Sequence, residues 1–150
     1  MSHENSDSVY TVFHQVIRFH YQRMYTLFEK FGIYPGQHAL LFILGKQDGQ
    51  SQRELAEKLH NKAATITVML NRMAKANLLE RRPDPNDQRV TRVYLTKQGQ
   101  DVLAQVKESL KTIESECFDN FTPEEQILLR RLLMQVRENL RKACEKSPPK

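Results

Sequence analysis

The stretch that most constrains this chain is Pro83-Asp-Pro-Asn-Asp87, which stands between segments of helical periodicity. Two prolines fix φ, and short Asp and Asn side chains bond to nearby backbone amides, so the chain must reverse here. Arg81 and Arg82 lead into the turn, and beyond it Thr91, Val93 and Leu95 alternate with Arg92 and Tyr94. Period-two alternation beside a forced reversal predicts a β-hairpin with a basic, exposed tip. With only six Pro and five Gly in 150 residues, the rest of the chain is free to be helical.

Upstream, Val9, Phe13, Val16, Ile17, Met24, Leu27, Phe28 and Phe31 recur at helical spacing and predict a long amphipathic helix over 9–31, ended by Gly32. Pro35 opens a second helix to Gly45, whose apolar run over 39–44 calls for burial on most sides. Ser51 followed by Glu54 has capping-box spacing, and Leu55, Ala56 and Leu59 form one side of a short third helix. Three residues, His60, Asn61 and Lys62, separate it from a fourth helix over 63–76. Ile66, Met69, Leu70 and Met73 share a face there, and Asn77 tolerates the left-handed conformation that ends a helix.

Past the hairpin, Thr96 caps a helix striped by Leu103, Val106, Leu110, Ile113 and Cys117. Thr122, Pro123, Glu124 and Glu125 begin the last helix, with Leu129, Leu132, Leu133, Val136 and Leu140 on one side, and residues 147–150 are expected to fray. The expected fold class is mainly α with a small β-hairpin wing. Residues 35–99 form a winged helix-turn-helix module, and 9–33 and 100–146 form a helical dimerisation region. The terminal apolar stripes exceed what the middle module can cover, so they are expected to pack on each other and on a second copy.

Charge singles out the middle of the chain. Residues 51–99 carry ten Lys and Arg against five Asp and Glu, while the flanking thirds are balanced, so the whole excess of +5 lies in the helix pair and hairpin. Such a concentration points to a polyanionic partner. The longest apolar run is far too short to cross a membrane, and residues 1–8 lack a basic start followed by an apolar stretch, so a cytoplasmic protein is expected.

A short helix, a three-residue turn, a second helix and a basic hairpin have winged helix-turn-helix proportions, so double-stranded DNA is the expected partner. With Ile66, Leu70 and Met73 inward, Ala64, Val68, Asn71 and Lys75 lie opposite, flanked by Thr67 and Arg72. Asn71 is suited to adenine, Arg72 to guanine or phosphate, and the methyls of Ala64, Thr67 and Val68 to thymine. Lys62 and Thr65, near the helix start, are placed for phosphate. Asp87 stands two residues before Arg89 and is expected to orient its guanidinium, and a slim Arg on a ribbon suits a narrow A·T minor groove. Arg81, Arg82 and Arg92 would meet phosphates along the stem.

These residues resemble the MarR family of bacterial transcriptional regulators. The resemblance rests on Glu54-Leu-Ala-Glu-Lys-Leu59, Thr65-Ile-Thr67, Leu78-Leu-Glu-Arg81 and Asp84-Pro-Asn-Asp-Gln-Arg89, running on to Val93-Tyr-Leu-Thr96 and Gly99. It implies a homodimer with interlocked terminal helices, recognition helices in successive major grooves of a pseudo-palindrome, and Arg89 in a flanking minor groove. Asn77 replaces the usual glycine, and Lys62 stands where a serine cap is common, leaving Asn61 as the expected cap. The resemblance further implies a small-molecule effector pocket, for which His20 and His38 are the candidates.

Both histidines are expected to be buried and structural rather than metal ligands, since too few ligands converge on them. Cys117 and Cys144 lie on or beside apolar stripes and are expected to be buried and unreactive, with a metal- or redox-responsive regulator of the same fold as the alternative. Five glycines form no phosphate loop, and no Gly-x-Ser-x-Gly or other catalytic constellation occurs, so neither enzyme activity nor a cofactor is expected. A purely helical protein-interaction module would leave the charged hairpin without a purpose.

Overall fold

The structure is a computed structural model, and it describes residues 8–147. The expectations for residues 1–7 and 148–150 lie outside the described residues. Among the described residues, six α-helices and three short strands follow one another: α1 Val9–Phe28, α2 Gln37–Lys46, β1 Gln50–Ser51, α3 Gln52–Leu59, α4 Ala63–Lys75, β2 Leu79–Pro83, β3 Thr91–Leu95, α5 Lys97–Cys117 and α6 Pro123–Lys146. Packing groups the chain through Ile113 as one unit and from Glu114 as a second.

The caps expected at the starts of α3 and α6 form. Ser51 Oγ accepts from the Glu54 amide at 3.1 Å while Glu54 returns the bond to Ser51, and Thr122 with Glu125 does the same for α6. The first helix is less regular than its pattern implies, because its last turn, Glu29–Phe31, tightens to a 3-10 helix before Gly32 at φ 73°. Asn77 adopts φ 60° and ends α4, as its tolerance of that conformation suggests.

One core serves the first unit. Phe28 and Ile33, Leu40, Leu41 and Leu44 of α2, Leu55 of α3, and Ile66, Leu70 and Met73 of α4 close over Val93 of β3 and Val106 of α5, all essentially without solvent exposure. The sheet has the order β1-β3-β2 and is antiparallel throughout, with Leu79 opposite Leu95 and Arg82 opposite Arg92. β1 was not expected, because two residues carry no readable alternation. It pairs Gln50 with Val93, and the buried Gln50 amide donates to the carbonyls of Ile43 at 3.2 Å and Gln47 at 2.7 Å while its oxygen accepts from Lys58.

The junction between hairpin and α5 shows why Leu95-Thr96 and Gly99 form a unit. Thr96 Oγ1 donates to the Asn77 carbonyl at 2.6 Å and accepts from the Gly99 amide at 2.9 Å, which seats the start of α5 against the end of α4. A Cβ on Gly99 would lie 1.9 Å from the Leu78 carbonyl oxygen, a backbone atom that cannot step aside cheaply. Gly99→Ala is therefore expected to cost about 1–3 kcal/mol or more. Thermal unfolding should show a midpoint several degrees lower, and an unchanged midpoint would contradict the close approach.

Candidate nucleic-acid interface

The candidate recognition face is on α4. Burial of Ile66, Leu70 and Met73 at 1% exposure or less turns the opposite side outward, and Ala64, Thr65, Thr67, Val68, Asn71, Arg72 and Lys75 are all exposed, Val68 at 51%. The helix contains no acid, and Arg72 and Lys75 lie in its last turn. Thr67 Oγ1 donates to the Ala63 carbonyl at 3.0 Å, so its hydroxyl proton is spent within the helix.

The start of α4 corrects one expectation. Asn61 is not its cap. Lys62 occupies the N-cap with no side-chain capping bond, while the Asn61 amide turns back to the Ala56 carbonyl at 3.1 Å. His60 sits at φ 53°, so the turn closes α3 first, and Asn61 belongs to that closure. The amides of the first turn of α4 thus have no side-chain acceptor, and the exposed Lys62 stands beside them, an arrangement that favours an anion. Beside this turn, Gln52, Arg53, His60, Asn61 and Thr67 line a surface cleft of about 560 Å³ between α3 and α4. Arg53, with a side chain 90% exposed and 3.3 Å from Glu57, is a cation lining this cleft that the sequence left unassigned. Only its place in the uneven charge distribution marked it.

In the wing, Arg81 and Arg89 are exposed. Asp87 does not orient the Arg89 guanidinium as expected. Its Oδ1 accepts from the Arg89 backbone amide at 3.1 Å, because the two-residue spacing of a tight turn brings amide, not side chain, within reach. The residue that organises the tip is Asp84, which the sequence reading treated only as part of the turn. Asp84 Oδ1 accepts from the amides of Asn86 at 2.7 Å and Asp87 at 3.1 Å, and Oδ2 accepts from Arg92 Nε at 2.5 Å. The Arg92 bond, aided by those amides, holds the Asp84 carboxyl below the usual carboxylate range.

The stem arginines divide. Arg82 stacks over the Tyr94 ring, 4.5 Å from its centroid, and pairs with Glu80. Arg92 is partly covered and bonded inward, so it is the expected phosphate contact that the geometry favours least.

The candidate effector histidines differ from each other. His38 is half-buried, with its ring 5.3 Å from that of Phe28 and Nδ1 accepting from the Gly36 amide at 3.2 Å. Burial, then the neighbouring charge of His20, lowers its pKa. His20 itself is exposed, contrary to expectation, because α1 enters the core only at Met24 and Phe28, one turn further on. Cys117 and Cys144 are likewise exposed rather than buried. Ile113 is the last buried residue of α5, and α6 buries none. Among the described residues, no group of three His, Cys, Asp or Glu could hold a metal, and no helix is long and apolar enough to cross a membrane.

A helix pair whose second helix, α4, has an acid-free outer face, followed by an arginine-tipped antiparallel ribbon, defines a winged helix-turn-helix DNA-binding protein. The sequence pattern of the MarR family matches residues 33–91, which span α2 through the wing tip. The transcriptional regulator HosA of Escherichia coli O111:H- is 30% identical over 67% of this chain and 74% of its own length. The repressor IacR of Pseudomonas putida is 29% identical over 79% of this chain and 71% of its own. A crystal structure of an Escherichia coli MarR mutant complexed with operator DNA superposes with a TM-score of 0.73 at 24% identity, covering 90% of this chain and 99% of that one. The chain belongs to the MarR family and is a DNA-binding transcriptional regulator.

Proposed function

We propose that the protein is a repressor that occupies a pseudo-palindromic operator as a homodimer and leaves it when a small molecule binds. The observation that carries this reading is the apolar surface left over on the terminal helices. On α1, Val9, Tyr10, Val16, Ile17, Phe19 and Tyr21 are each at least half exposed, and on α6 so are Ile127, Leu128 and Leu140. Surfaces of this size on two long helices call for a partner, and a twofold copy is the commonest solution. Two copies would present two α4 helices and two wings to one duplex, with half-sites about 34 Å apart.

Lys62, Thr65, Arg72, Lys75 and Arg81 then meet phosphates, Ala64, Thr67, Val68 and Asn71 meet base edges, and Arg89 enters the minor groove. Repression is favoured by the name of IacR and by simplicity, since blocking a promoter needs no contact with polymerase. His38, half-buried against Phe28 at the start of α2, is the reason for putting the effector at the α1–α2 junction, with the exposed His20 as the second candidate. A change in the splay of the two modules would put one helix out of register. The exposure of both cysteines favours an oxidant as the second reading of the input signal.

Selection of bound fragments from the source genome tests the reading. Promoter fragments sharing two inverted half-sites about one helical turn apart are expected. Fragments with no inverted repeat would contradict it.

A further inference from the structure

The wing tip is braced from within, and we propose that Asp84 and Arg92 are positioning residues that set the reach of Arg89 into DNA, with Arg92 withheld from the phosphates. The proposal rests on the reading of Arg89 as a minor-groove group. The Asp84 and Arg92 side chains are 11% and 34% exposed, and two of the three guanidinium nitrogens donate to internal acceptors. Nε donates to Asp84 Oδ2 at 2.5 Å, and Nη1 donates to the Gly49 carbonyl at 2.9 Å. One planar fork thus ties the tip of the hairpin to the turn before β1.

Both anchors of the fork are themselves fixed. Asp84 caps the amides of Asn86 and Asp87 through its other oxygen, and its own amide closes the tip by donating to the Val90 carbonyl at 2.8 Å. Gly49 adopts φ 73°, and a Cβ there would lie 2.9 Å from the Tyr94 ring, so this carbonyl is presented by a residue that has to be glycine. Its amide donates to the Val93 carbonyl at 3.0 Å. Arg89 follows three residues after Asn86, on the loop this frame holds. A loop already ordered before binding loses less conformational freedom on contact with DNA.

Charge alone and positioning call for opposite results at Asp84. Asp84→Asn removes a negative charge from a DNA-facing wing, which simple electrostatics would reward with tighter binding. It keeps an oxygen for the two amides but loses the ionic partner of Arg92, which positioning expects to weaken binding. Arg92→Lys keeps the charge and loses the fork.

The test uses a duplex recovered from a random pool by the unaltered protein, rebuilt with A·T-rich or G·C-rich flanks and titrated at several salt concentrations. Asp84→Asn, Arg92→Lys and Arg92→Ala should each lower the A·T-over-G·C affinity ratio severalfold. The salt slope should stay unchanged, and each should add little on top of Arg89→Ala. Asp84→Asn binding as tightly or more tightly with its flank ratio intact would overturn the proposal. So would an Arg92→Ala slope reduced by about 0.9, the mark of a lost phosphate contact, with the flank ratio intact. If Arg89→Ala itself leaves both flank types unaffected, the minor-groove reading of the wing fails, and the brace has nothing to position.

Discussion

Val16→Glu and Leu132→Glu, made separately, are each expected to yield a folded monomer that no longer holds its operator at concentrations that saturate the unaltered protein. Val16 is 59% exposed and Leu132 44% exposed on a single chain, so neither substitution disturbs the core. In a twofold interface each occurs twice, and burial of a Val or Leu contributes about 1.5–3 kcal/mol, so the loss is roughly 3–6 kcal/mol per dimer. That weakens association by a hundredfold or more on the usual scale of about 1.4 kcal/mol per tenfold. Burying a carboxylate adds to the loss. Light scattering gives the oligomeric state, circular dichroism the helix content, and a retained dimer with both variants would rule these helix faces out as the interface.

Asn71→Ala should have the next largest effect, and on discrimination rather than on adhesion. Asn71 stands exposed near the middle of the outward face of α4, where its amide can both donate to and accept from an adenine edge. Loss of one such pair costs about 1–3 kcal/mol of discrimination. Competition of the selected duplex against one with the preferred base pair changed should show the preference at that position collapse, while binding to unrelated DNA is unchanged. Equal losses on both duplexes would move Asn71 from base to backbone contact.

The elements legible in the sequence were those whose cause is local. Ser51 with Glu54, Thr122 with Glu125, the two prolines of the wing turn, and Asn77 each impose a conformation through bonds a few residues long. The buried side of α4 followed from spacing alone, and with it the exposed side, because a helix that turns Ile66, Leu70 and Met73 inward has no freedom left about what it shows. What was misread depended on competition or distance. Asn61 was available to two helices, and α3 claimed it. Asp84 and Asp87 look equivalent in a turn, and only the register of β2 against β3 brings Arg92 to Asp84. His20 and the two cysteines have apolar neighbours in sequence, but α1 buries only Met24 and Phe28, α5 buries nothing after Ile113, and α6 buries no residue.

The central claim, that the basic middle of the chain is a DNA-facing surface, is tested most directly by the salt dependence of binding to the selected duplex. Log affinity should fall linearly with log salt at a slope near −0.9 per phosphate neutralised. The slope should become shallower by about that amount for each of Arg72→Ala and Lys75→Ala that removes a phosphate contact. An affinity independent of salt, or a slope that neither substitution changes, would contradict the account.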